Sequence, residues 1–302
     1  MKSKRLIINA DDLGMSRGIT DGILRAHREG VVTSASLIVN QAGSDYAVAQ
    51  LGKYPDLGVG IHLNISEGTP VLPPQQVPTL VTRDGCFYPP AQMVRRLWRW
   101  HTSPHEMEAE FRAQIRRMKD RGLSITHGDC HHHMHLYPCA VAPFRRALLA
   151  EGIHCARAPR HRHWPRDGYI GGPHAGPAYR RLLVCAYADF TQRVTFRPLI
   201  TPDSCLTCHP RYANRLESLA EGWKAALQNV IPGVYELGCH PSLRDPAFSD
   251  HTYWRERREL ELRILTDPAF RTVIEENNIE LINYSNLRVS GRSASTTLAA
   301  FR

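Results

Sequence analysis

Residues Arg5–Gly14 read RLIINADDLG, an apolar run closed by two adjacent carboxylates and a glycine. A short apolar segment that stops on turn-forming residues reads as a buried strand. The next segment, RGITDGILRAHREG, places Ile19, Ile23, Leu24 and His27 at helical spacing and ends on Gly30, a helix stop. VVTSASLIVN is then β-rich, SDYAVAQLGKYP helical, and DLGVGIHLNI a strand again. Strands alternating with helices at this rhythm predict parallel βα units.

The pattern continues beyond a proline-rich excursion, GTPVLPPQQVP. A long helical zone runs from AQMVRRLWRW through EMEAEFRAQIRRMKDRG and closes at Gly122. LSITHGDCHHHMH is the next strand with its loop, and CAVAPFRRALLAEG the next helix. From Arg157 to about Arg181 the chain is rich in Gly, Pro, His and Arg, which predicts a long functional or mobile loop. NRLESLAEGWKAALQNV is helical, GVYELGCH a strand, RERRELELRILTD a helix and IELINYS a last strand. Six or seven βα units predict a single barrel-like α/β domain over residues 1–288, with 289–302 as a flexible tail. A doubly wound open sheet has the same local pattern.

Composition narrows the function classes. The chain has 302 residues, 42% of them hydrophobic, which suits one barrel and excludes wholesale disorder. The net charge of +9 invites a nucleic-acid reading, but no block of five or six like charges occurs, so no nucleic-acid partner is expected. No apolar run approaches the length of a membrane span, and the run after the basic start is too short for an export signal. Eight irregularly spaced cysteines then read as reduced thiols of a cytoplasmic protein.

In barrels the C-terminal strand ends carry the chemistry. Asp11 and Asp12 sit where the first strand ends, where a bend in the backbone brings both into one cleft; the alternative is that Asp12 caps the following turn. His62, in GVGIHLN, holds the equivalent place on another strand, as a ligand or as a packed core residue. HGDCHHHMH, His127–His135, puts five histidines in nine residues. Along an extended chain His127, Asp129, His131, His133 and His135 share one face. A catalytic metal typically takes about three protein ligands and keeps a position open. Asp12, His62 and one histidine of the tract therefore form a candidate Asp-His-His site, with Asp129 as an orienting partner. His240, at the late strand end ELGCHPS, and His133 are candidate acids. Arg157 reads either as a substrate contact or as a surface arginine, and Trp98, Trp100 and Trp164 as sugar-stacking or packing residues.

Rival readings have weaker support. CLTCHP, Cys205–Pro210, matches the C-x-x-C-H haem pattern, which belongs to exported proteins, and a structural zinc there lacks two ligands. A two-metal phosphoesterase needs about six ligands with bridging carboxylates. A metal- or sugar-binding protein without catalysis leaves one of the paired carboxylates without a purpose.

INADDLGMS, VVTSASLIVN, VGIHLNISEGTPV, THGDCHHHMHLYP, YELGCHPS and ELRILTD…IELINYS follow in order along roughly the first 290 residues. Together they resemble the YdjC/ChbG-like carbohydrate deacetylases. The resemblance implies a distorted TIM-type barrel related to polysaccharide deacetylases, one divalent metal ion, and removal of acetyl from an N-acetylated sugar. It assigns Asp12, His62 and His131 as metal ligands and Asp11 as the base, and implies magnesium, whereas the donor set also suits zinc or cobalt. A homodimer is carried by the resemblance alone. Asp129, His133 and Arg157 are expected to bind substrate or support the ligands. Leu13 stands where the family has an aromatic, Cys130 where it often has serine, and the segment after Arg157 has no clear counterpart. The segment GTPVLPPQQVPTLVTRDGCF is similar to the hopanoid-associated branch, whereas Asp129 with three consecutive histidines is closer to the chitooligosaccharide branch.

Overall fold

The computed structural model describes residues 3–158, 183, 186–206, 218–245 and 252–287. Its centre is strand β1 (Lys4–Leu13), buried from Leu6 to its end. Every described partner runs parallel to its neighbour. β1 pairs on one side with β2 (Ser34–Leu37), which leads on to β3 (Gly58–Leu63) and β4 (Gly128–Cys130). On the other side it pairs with β6 (Gly233–Cys239), which pairs with β5 (Ser204–Leu206). β7 (Ile279–Leu281) joins only the first three residues of β1, Lys4–Leu6.

The two arms meet. Gly128 of β4 bridges Ala156, Cys155 bridges Ile200, and that segment runs into β5. The ladder thus passes right around, as a distorted barrel requires. Helices α1 (Arg17–Arg28), α2 (Ser44–Leu51), α3 (Pro90–Trp98), α4 (Pro104–Lys119), α5 (Pro138–Ala150), α6 (Leu219–Gln228), α7 (Thr252–Thr266) and α8 (Pro268–Glu276) accompany the strands.

Local chemistry explains the boundaries. The Ser16 side chain accepts from the Ile19 N–H and starts α1, which buries Ile19, Ile23 and Leu24 as its spacing predicts. The long helical zone divides in two. Trp100 adopts a left-handed backbone (φ 58°) after α3, and the Ser103 cap with Pro104 begins α4. The proline-rich excursion is pinned by Glu110 of α4, whose buried carboxylate accepts from the N–H groups of Val71 and Leu72 at 2.8 and 3.0 Å. β5 and the separate helix α8 have no counterpart in the sequence reading. The expected tail, most of the loop after Arg157, Trp164 and the Cys208-His209 part of CLTCHP lie outside the described residues.

Gly60 in β3 has a specific role. A Cβ there would overlap the His127 ring, which is itself stacked on Tyr284 with centroids 3.7 Å apart and cannot retreat. Gly60→Ala is expected to destabilise the fold by about 1–3 kcal/mol through overpacking. Urea unfolding monitored by circular dichroism checks this; an unchanged midpoint would show that the stacked ring does yield.

Candidate active site

At the end of β1 the pairing with β2 shifts register between Ala10 and Leu13. Asp12 there takes φ 68°, a left-handed conformation that aspartate tolerates better than most residues. This bulge turns both carboxylates into one cleft, and Asp11 and Asp12 are both buried. β3 contributes His62, and the first residue after β4 contributes His131, also buried.

Asp12 Oδ1, His62 Nε2 and His131 Nδ1 face one another at 3.5, 2.9 and 3.4 Å. Three donors held by one tetrahedral cation at about 2.0–2.1 Å would be spaced about 3.3 Å apart. The triangle therefore fits a metal ion. Asp12 Oδ1 makes no aligned hydrogen bond although it is buried, as expected of an atom facing a cation. Burial raises the Asp12 carboxyl, but Arg258 and His131 outweigh it and hold it well below the usual carboxylate range. Burial likewise depresses His62, yet Asp129 and Asp12 reverse this and push it up to about 10. The negative potential that does this would also favour a cation, which would compete with the proton.

The supporting groups are more extensive than the sequence reading. His62 and Asp129 are register partners across β3 and β4, and His62 Nδ1 lies 2.7 Å from Asp129 Oδ1. That contact directs Nε2 at the triangle. Asp129 Oδ2 is met by the Ser36 hydroxyl at 3.0 Å and by Arg157 at 2.8 Å. Arg157 is no surface arginine: it is buried, grips Asp11 through two nitrogens at 2.7 and 2.5 Å, and donates to Glu236 at 2.8 Å. Burial raises Asp11, but Arg157 dominates and keeps it below the ordinary value, so it is ionised at neutral pH. His240 Nε2 lies 3.8 Å from Asp11 Oδ2, with the side chain 31% exposed, so it can reach both the carboxylate and a ligand.

The histidine tract divides differently from its parity. The chain is extended only as far as Cys130, then turns through left-handed residues at His132 and His133. His133 is exposed on that turn. His135 is buried against Phe144, ring centroids 4.5 Å apart, and His127 lies on Tyr284 with Ser36 at 3.1 Å. The one-face arrangement of four histidines is thus replaced by one at the triangle, His131. Reading the sequence also missed Arg258, whose NH2 group donates to Asp12 Oδ2 at 2.6 Å, and Glu236 and Glu261. Glu236 had a signal, a charged residue inside an otherwise apolar strand, whereas Arg258 and Glu261 lie in a helix crowded with charges.

The model of the family described as YdjC-like protein matches residues 5–276. The chain belongs to the YdjC-like family. Its relatives include a carbohydrate deacetylase of Brevibacillus brevis, 34% identical over 288 residues, 94% of this chain and 99% of that one. A carbohydrate deacetylase of Vibrio vulnificus is 30% identical over 94% of this chain and 96% of its own length. A solved Enterococcus faecalis protein, named for cellobiose-phosphate cleavage, superposes with a TM-score of 0.75 at 26% identity, covering 94% of this chain and 99% of its own. The strand ladder that passes right around makes this fold barrel-like, not a doubly wound open sheet. No described helix is long and apolar enough to cross a membrane.

The two packed histidines make this YdjC-like chain acid-sensitive. Burial lowers both His127 and His135 to about 3. The fold thus prefers the neutral rings: stability is complete above the unfolded value near 6.5 and falls as the pH drops from there towards 3. Each ring contributes a slope of about 1.4 kcal/mol per pH unit. His135→Phe is expected to remove one such component, seen as a shallower loss of urea stability between pH 6 and 4; parallel curves for both proteins would refute it.

Proposed function

We propose that this protein is a metal-dependent carbohydrate deacetylase that hydrolyses the N-acetyl amide of an aminosugar. The observation that carries the proposal is the triangle of Asp12, His62 and His131 with a second, independently held carboxylate, Asp11, beside it. The relatives named carbohydrate deacetylase support the substrate class. One divalent cation, magnesium by the family resemblance, would be held by those three residues and would supply Lewis acidity towards water and the acetyl carbonyl.

The remaining steps belong to the chain. Asp11, ionised and aimed by Arg157, takes a proton from the attacking water. Arg157 holds both oxygens of this base and so would keep it free as a base beside a bound cation. Asp129 fixes the His62 ring so that Nδ1 is the hydrogen-bonded nitrogen. His240 starts neutral, since burial lowers it. From 3.8 Å it accepts the proton gained by Asp11 and delivers it to the leaving amine. Water and amide thus become acetate and a free amine with every proton accounted for. His133, exposed on the turn, would then contact the sugar rather than the reacting amide.

A two-metal phosphoesterase has less support. Among the described residues, the two neighbouring groups, Glu67 with His131 and His132 and Asp11 with His62 and Asp129, each share only a histidine with the triangle, so no shared carboxylate would bridge two ions.

Acetate release from short N-acetylglucosamine oligomers, measured with magnesium, zinc and cobalt in turn, tests the proposal. Turnover should require metal and fall about 10²–10⁴-fold in Asp11→Asn, with His240→Ala lowering kcat about 10²-fold or more. Activity untouched by Asp11→Asn would remove the base, and activity untouched by His240→Ala would remove the acid. Binding of two ions in place of one would favour the phosphoesterase.

A further inference from the structure

Only one oxygen of Asp12 faces the candidate metal site. Oδ1 points at His62 and His131, while Oδ2 accepts from the Arg258 guanidinium at 2.6 Å. The neighbouring carboxylate, Asp11, has both oxygens on Arg157. Arg258 is buried on α7, and its position is fixed from two directions. Its own carbonyl accepts from the Ser242 N–H at 3.3 Å. One turn on, the buried Glu261 accepts from the His240 N–H and from Arg257, the latter at 2.8 Å. α7 is therefore latched to the loop after β6, and the guanidinium cannot drift from Asp12.

We propose that Arg258 decides which cation the site accepts: it holds Asp12 Oδ2 out of coordination and offsets the carboxylate charge, so that a nitrogen-preferring, low-coordinate ion of the zinc or cobalt type is favoured over magnesium. This rests on the metal reading given under the proposed function, and departs from the magnesium that the family resemblance implies. Magnesium binds through oxygen and charge, demands near-octahedral geometry, and gains little from imidazole. With Oδ2 occupied and a guanidinium beside it, it is offered one oxygen of reduced charge and two nitrogens. Zinc and cobalt bond well to imidazole, so the same arrangement weakens them less. The spacing of 2.9–3.5 Å within the triangle is also nearer on average to the tetrahedral value of about 3.3 Å than to the octahedral value of about 2.9 Å.

The test needs no activity. Metal-free protein is titrated calorimetrically with zinc, cobalt and magnesium, and the visible absorption of the cobalt form is recorded, for wild type, R258Q and R258K. Wild type should show the intense absorption of four-coordinate cobalt. R258Q, which frees Oδ2, should narrow the zinc-to-magnesium affinity gap by about tenfold or more and weaken the cobalt band as coordination rises. R258K, which keeps a cation near Asp12, should lie between the two. An unchanged gap and band in R258Q would overturn the proposal, as would weak, six-coordinate absorption from the wild type; the wild-type spectrum decides by itself should R258Q not fold. Wild type that binds no divalent ion would overturn this inference and the metal reading together. Wild type that shows the expected spectrum and the R258Q response but releases no acetate would support this inference and overturn only the proposed activity.

Discussion

The structure depends on one buried cation. The Arg157 guanidinium is surrounded by Asp11, Asp129 and Glu236, each within 2.5–2.8 Å of one of its nitrogens. Three carboxylates cannot share a dry interior without a counter-charge, because the desolvation cost of each is several kcal/mol. Arg157 stays charged throughout, since those carboxylates override the effect of burial and raise it well above its ordinary value. Glu236 is handled differently: burial raises it, and the Tyr284 hydroxyl donates to its second oxygen at 2.6 Å. Asp11, the Asp129 that orients His62, and strand β6 are thereby joined through a single side chain.

That side chain is delivered by closure of the barrel. Arg157 follows directly on Cys155 and Ala156, the residues that link β4 to the segment entering β5. Its own N–H donates to the Gly128 carbonyl. The strands that carry Asp12, His62 and Asp129 lie in the order β1, β2, β3, β4, so Asp12 of β1 and His62 of β3 are separated by β2. Ser36 of β2 fills the gap by contacting Asn9, His127 and Asp129 at once. Fold and candidate site are therefore not separable here: the polar interior of the barrel holds the groups of that site in place.

Strand-end chemistry was legible in the sequence because it depends on local pattern. RLIINADD and GVGIHL announce buried strands with polar termini, and both become the expected strands with Asp12 and His62 at the cleft. Charged residues that point inward from a helix were not legible. Arg258 and Glu261 lie in TYWRERRELELRILT, where seven of fifteen residues are charged and nothing marks which of them turn inward. Arg157 could be located but not interpreted, since its partners are separated from it by 146, 28 and 79 positions along the chain. β5 went unread because three residues carry too little periodicity to stand out.

The histidine tract shows where pattern reading stops. Alternation is a property of extended backbone, and it holds from His127 to Cys130 and no further. His132 and His133 then take left-handed conformations, which cost roughly 1–2 kcal/mol each for residues with a side chain. A run of identical residues cannot announce such a turn, because the same side chain at each position carries no signal of where the backbone changes. The turn is what separates the roles. It stops the ladder at the point where His131 faces Asp12 and His62, sends His132 and His133 outward, and returns His135 to the aromatic core. Chemically equivalent side chains thus become a member of the candidate triangle, a rim and a packing residue, and backbone conformation alone distinguishes them.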